Sequence, residues 1–117
     1  MQITLKSLKD NYAYSAIYPY PEIIKWFEQA FGKGADSENV IKKLHDIKDS
    51  KGWVHWLFKT YKLNGICEQW YKNGRIFLSE NYKDGEKHGL CKYWNGKGKL
   101  EMRTNYKNGE PIPDFIS

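Results

Sequence analysis

Three histidines and two cysteines are the side chains best suited to nucleophilic or metal chemistry: His45, His55, His88, Cys67 and Cys91. Their spacing gives no HExxH, HxH or CxxC arrangement, so no metal-ligand set is read. His45, beside Leu44, reads as a helix-flank residue. His55 sits between Trp53 and Trp56 and reads as a core or partner-contacting group. His88 follows a turn signal and reads as a solvated strand residue. A Cys–His nucleophile pair is made in space, but neither cysteine opens a helix, one common setting that lowers a thiol pKa. Glu68, Glu80 and Glu101 fall on expected strands near cations and read as cross-strand pairs. No GxGxxG or P-loop cradle occurs; Gly96-Lys97-Gly98-Lys99 lies between two expected strands and feeds no helix. The expectation is a chain that is not an enzyme and takes no cofactor or metal.

The elements that position these residues are set by a repeat. Gly65, Cys67, Trp70, Gly74, Tyr82, Lys83, Asp84 and Gly85 recur at an offset of 24 as Gly89, Cys91, Trp94, Gly98, Tyr106, Lys107, Asn108 and Gly109. Turn signals at Lys72-Asn73-Gly74 and Asn95-Gly96-Lys97-Gly98 divide each unit, and Lys83-Asp84-Gly85 and Lys107-Asn108-Gly109 end them. Three-residue loops with a left-handed glycine at Gly74, Gly85 and Gly98 would pair Trp70 with Ile76, Glu68 with Leu78, Leu78 with Leu90, Trp94 with Leu100, and Lys92 with Met102. That register puts Ile66, Trp70, Ile76, Leu78, Tyr82, Leu90, Trp94, Leu100, Met102 and Tyr106 on one face, to be covered by helices. Cys67 and Cys91 then take the other face, two strands apart and beyond disulfide reach. Gln69, Tyr71, Phe77, Ser79, Tyr93, Glu101, Arg103 and Asn105 share that second face. Of these, Gln69, Tyr71, Phe77, Tyr93, Glu101 and Arg103 are the candidate partner-binding residues, because aromatic, amide and guanidinium groups suit protein contacts. Pro111-Ile112-Pro113-Asp114 is expected to run across the surface or edge without extending the ladder.

Upstream, Pro21 suits a first helical turn, and Ile23, Ile24, Phe27 and Phe31 follow at helical spacing to a Gly32 cap, which predicts a helix over 21–31. Asp36 or Ser37 caps a second helix over 37–48 with Val40, Ile41, Leu44 and Ile47 on one side. Asp49 or Ser50 opens a third containing Trp53, Trp56 and Leu57, although Trp53–Phe58 would also serve as a strand and a strand could begin at Phe58. Residues 1–18 mix strand and helix spacing. The fold class expected is α+β: a helical segment over 1–57 packed on a C-terminal antiparallel meander over 58–117, with one shared core.

At 117 residues, with 40% hydrophobic and 16% aromatic content, the chain is a folded domain rather than a disordered one. Its net charge of +5 is spread, with Lys42-Lys43 the only adjacent cations, which favours a solvated face over a nucleic-acid stripe. No run is long and apolar enough for a signal sequence or a membrane span, so a cytoplasmic location is expected.

The segments GICEQWYKNGRIFLSENYKDGEKHG and GLCKYWNGKGKLEMRTNYKNGE resemble the variant MORN-type repeat over about residues 58–110. Phe27, Phe31-Gly32, Val40, Leu44 and Trp53-x-x-Trp56-Leu57 are similar to a short helical segment of small bacterial and phage proteins. The repeat resemblance implies hairpin arrays that act as interaction platforms, in bacteria often as antitoxin or immunity proteins. It implies a non-enzymatic module that neutralises a protein partner, a toxin or a phage or host defence factor. Immunity proteins against nucleases are commonly acidic, so a basic chain implies a partner neutral or acidic at the contact. A binder of anionic surfaces, nucleic acid or phospholipid head groups, is the alternative.

Overall fold

The structure, a computed structural model, describes residues 1–13 and 21–113. It is α+β, with four helices and antiparallel sheet among the described residues. The chain forms two compact units, Met1–Ile47 and Lys48–Ser117.

In the first unit, strand β1 (Gln2–Thr4) pairs antiparallel with β2 (Gly34–Asp36). Helices α1 (Leu5–Ala13), α2 (Pro21–Phe31) and α3 (Ser37–Asp46) complete it. The mixed spacing at the N-terminus is explained by a strand passing directly into a helix. Thr4 and Ser7 cap that junction reciprocally: the Ser7 N–H donates to Thr4 Oγ1 at 3.0 Å, and the Thr4 N–H to Ser7 Oγ at 3.2 Å. The part of residues 1–18 beyond 13 lies outside the described residues. The helices expected at 21–31 and 37–48 are present, the second ending at Asp46. Asp36 caps α3 by accepting the Glu38 N–H. Ile3, Leu8, Ile23, Phe27, Val40 and Leu44 are buried, which is the apolar periodicity of the sequence turned inward.

The second unit opens with helix α4 (Trp53–Thr60). Phe58 is therefore helical, not the start of a strand, and it is buried. The choice is made at the helix entrance. Gly52 adopts a left-handed φ of 82° and turns the chain, and the Asp49 carboxylate accepts the Lys51 and Val54 N–H groups at 3.0 and 3.1 Å. Gln69 Oε1 accepts the His55 N–H at 3.0 Å, so two of the donors that a helix start leaves unpaired are satisfied.

After α4 come β3 (Gly65–Trp70), β4 (Ile76–Lys83), β5 (Glu86–Lys87), β6 (Gly89–Trp94), β7 (Leu100–Lys107) and β8 (Glu110–Ile112). They form one antiparallel sheet in the order β3-β4-β6-β7-β8, with β5 beside β4. The loops at Gly74 and Gly98 have the expected three-residue form, and Trp70 pairs with Ile76 and Trp94 with Leu100. One residue further the expected register fails. Gln69 pairs with Leu78 and Tyr93 with Met102, so Phe77 and Glu101 are left without partners as β-bulges. Glu68 accordingly pairs with Ser79, and Lys92 with Arg103.

The Gly85 corner differs too. Asp84 and Gly85 both have positive φ, 52° and 81°, and Lys83 pairs with Glu86. This is a two-residue hairpin turn of the primed kind. Leu78 then faces Tyr93 rather than Leu90. The tail also departs from expectation, since β8 adds a strand to β7. Pro111 is accommodated because β8 is an edge, where one N–H fewer costs the ladder nothing.

Helix α4 covers the side of the sheet bearing Cys67, Gln69, Leu78, Glu80, Tyr82 and Cys91, all buried. Phe58 packs on Tyr82 with ring centroids 5.2 Å apart. By the alternation of strand side chains, Ile66, Trp70, Ile76, Leu90, Trp94 and Leu100 fall on the reverse face. The expected ten-residue apolar face is thus divided between the two sides by the bulges.

Candidate functional site

The six candidate binding residues separate in the structure. Gln69 is buried and holds the start of α4, so its amide is committed to the fold. Tyr93 lies on the α4 side and donates its hydroxyl to Glu80 Oε2. Phe77, at its bulge, and Arg103 are on the reverse face; Glu101, at the second bulge, is exposed, as is Arg103. Tyr71, at the loop, packs against Phe77 with ring centroids 5.0 Å apart and planes tilted by 50°, and donates its hydroxyl to the Trp94 carbonyl at 2.7 Å. Four of the six therefore remain near one accessible region.

Sequence reasoning missed the Glu80 cluster, because the expected register set Tyr93 on the face away from Leu78 and Tyr82. Glu80 is 2% exposed. Its Oε1 accepts the Tyr82 hydroxyl at 2.9 Å, and its Oε2 accepts the Tyr93 hydroxyl and lies 3.2 Å from Lys87 Nζ. Burial opposes the charge on Glu80, but the Tyr93 and Tyr82 hydroxyls and the Lys87 ammonium outweigh it and hold the carboxyl below its ordinary range. Burial and the Glu80 charge push both phenols up. Burial works against the Lys87 charge, yet Tyr93 and Glu80 raise its pKa overall.

His55 Nε2 stands 3.9 Å from Glu80 Oε1. Burial lowers its pKa, Glu80 opposes, and Lys59 and Lys87 reinforce the lowering. His55 is thus neutral at pH 7, and the contact is not an ion pair there. Both cysteines are free and fully buried, and burial first, then the Glu80 charge, pushes the Cys67 thiol up. A general base needs a reachable lone pair near neutral pH. Glu80 has its oxygens occupied and its charge fixed, so the arrangement ties β4, β5 and β6 together beneath α4. Among the described residues no group of three His, Cys, Asp or Glu side chains could hold a metal ion.

The reverse face is different in kind. Ile66, Phe77, Leu100 and Ile112 are exposed there, Ile66 by 52%. Across its middle run Glu68, Ser79, Lys92 and Arg103, each the register partner of the next. Lys92 and Arg103 are like charges directly opposite, an arrangement that is destabilising when left alone. Neither has a carboxylate within ion-pair distance among the described residues.

The hairpin turns stack by the same offset of 24 that marks the sequence. Gly85 N–H donates to the Leu63 carbonyl at 3.1 Å, and Gly109 N–H to that of Lys87 at 2.8 Å. Asp84 N–H donates to Asn64 Oδ1 at 2.8 Å, and Asn108 N–H to His88 Nδ1 at 3.2 Å. At the other end Asn73 Nδ2 donates to the Gly96 carbonyl at 3.0 Å and Arg75 Nη1 to that of Lys97. Lys48–Ser117 carries 13 of the 19 cations and 8 of the 14 acids, which is the whole net charge of +5; Met1–Ile47 carries six of each.

No helix among the described residues is long and apolar enough to cross a membrane. No protein-family model matches the chain, and neither does any curated protein or solved structure.

Proposed function

We propose that the chain is a non-enzymatic protein-binding module that neutralises a protein partner by covering a functional surface of it, in the manner of an immunity or antitoxin protein or a phage inhibitor of a defence factor. One observation carries this reading: an exposed apolar set, Ile66, Phe77, Leu100 and Ile112, surrounds the facing cations Lys92 and Arg103 on the side of the sheet away from α4. Apolar contacts around a charged centre are the composition of a protein interface. An acidic group of the partner would relieve the repulsion between the two cations, so the contact on the partner is acidic. The two 24-residue hairpin units act as the platform, as their resemblance to the variant MORN-type repeat implies. Of the six residues expected to bind, Tyr71, Phe77, Glu101 and Arg103 remain in the docking region.

The test is affinity capture with the purified full chain and with Arg103→Glu and Ile66→Asp variants, each checked by circular dichroism. A partner recovered in stoichiometric amount, retained through a salt wash and lost with either variant, supports the reading. Equal recovery by the folded variants, or no partner in several cellular backgrounds, would sink it.

A further inference from the structure

We propose that the turn end of the second unit binds single-stranded nucleic acid, with phosphates on Lys72, Arg75, Lys97 and Lys99 and bases against the neighbouring aromatic rings. The four cations lie outside the Lys92–Arg103 row, although Tyr71 and Phe77 border both surfaces, and the inference does not depend on the docking reading.

The sequence places these four cations in two loops, 71–75 and 95–99, and neither loop contains an acid. The sheet stacks the loops at one end, where the Asn73 and Arg75 side chains bond to the Gly96 and Lys97 carbonyls. All four cations are exposed, and none has a carboxylate within ion-pair distance among the described residues. The nearest acid along either strand is Glu101, beyond Leu100. The opposite end of the sheet is mixed, with Asp84, Glu86 and Glu110 set among Lys83, Lys87 and Lys107. The positive potential of the unit is therefore polarised toward the loops, where it raises the local concentration of a polyanion. The loops lie two strands apart, about 10 Å, a span that phosphates two nucleotides apart on one strand can bridge.

The aromatic groups distinguish among anions. Tyr71 and Phe77 pack together beside the first loop, and Trp70 and Trp94 end the strands that lead into the two loops. An unpaired base offers a free π-face to such rings, whereas a duplex keeps its faces inside the stack. A lipid surface fits less well: Lys72–Arg75 and Gly96–Lys99 carry no apolar side chain at their tips to enter an acyl layer.

The experiment is fluorescence anisotropy of the full chain with a labelled oligothymidylate of about twelve nucleotides, within the size range of single-strand sites. Four phosphate contacts predict a slope of log affinity on log salt of roughly −2.8. K97Q/K99Q should weaken binding at least tenfold at low salt and flatten that slope. K83Q/K107Q removes the same charge at the mixed end and should change affinity less than twofold. Circular dichroism of both doubles keeps a folding defect distinguishable. The proposal is overturned by no binding of the wild-type chain at low salt, by equal losses in the two doubles, or by equal or tighter binding of a duplex of the same length. Binding to phosphatidylserine vesicles or polyglutamate without oligonucleotide binding would overturn it as well.

Discussion

Lys87 Nζ lies 3.2 Å from Glu80 Oε2, a carboxylate 2% exposed beneath α4. Neither charge is stable there alone. Removing one partner of such a pair costs about 3–5 kcal/mol, because it strands the other. Glu80→Ala is therefore expected to lower the urea midpoint sharply. Glu80→Leu combined with Lys87→Met is expected to cost less than the sum of the two single changes. A double cycle of urea denaturations measures both, and additive losses would show that the pair is not coupled.

The same cluster fixes a pH profile. Glu80 has a folded pKa below its ordinary 4.5, so its contribution is complete above that value and is lost as pH falls through the folded pKa. His55 has a folded pKa below 6.5, so the unfolded chain takes up a proton first and stability starts to fall below 6.5. On the alkaline side Cys67 and Cys91 keep protons that the unfolded chain loses near 9.0, Tyr82 and Tyr93 ones lost near 10.0, and Lys87 one lost near 10.5. Stability should hold level between about 6.5 and 9 and decline on both sides. Melting temperature against pH checks it. His55→Gln should flatten the decline that begins at 6.5 and leave the alkaline limb unchanged.

Cys67 and Cys91 should be inert while the chain is folded. Both are fully buried and both thiols are pushed up, Cys67 by burial and then by Glu80, Cys91 by burial first. The thiolate is the reactive form, so an alkylating reagent at pH 8 should label neither in native buffer and both in urea. Fast labelling of the native chain would contradict this burial.

How much of this was legible beforehand depended on whether the signal was periodic. Val40 and Leu44 announce α3, and Ile23 and Phe27 announce α2, because a 3.6-residue period needs no partner to be seen. Trp53–Phe58 has no such period, and only Asp49 and Gly52 decide for a helix. The loops at Gly74 and Gly98 were readable from their glycines. The bulges at Phe77 and Glu101 were not, since an extra residue in a strand leaves no side-chain mark, yet each flips the face of everything beyond it. That is why Tyr93 joins Glu80 on the side of α4 while Ile66 turns away. The cationic loop end was hidden for another reason: Arg75 and Lys97 stand far apart in the chain, and the stacking of the repeats alone brings them together.

Two glycines with similar φ should respond differently to alanine. Gly85 has φ of 81°, and a Cβ there would stand 2.8 Å from Lys62 Cα. Gly74 has φ of 85° with nothing within 4 Å of its Cβ position. Left-handed backbone alone costs a non-glycine residue about 1–2 kcal/mol, and Gly74→Ala should cost that. Gly85→Ala carries the same strain and must also push the Lys62 backbone away. Doing so breaks the Gly85 N–H bond to Leu63, which ties the hairpin turn to the segment after α4. Its loss should exceed that of Gly74→Ala by at least 1 kcal/mol, since a buried hydrogen bond contributes about that much. Parallel urea melts decide it. Equal losses would mean that the contact between Gly85 and Lys62 relaxes freely, and that the corner is held by its φ angles alone.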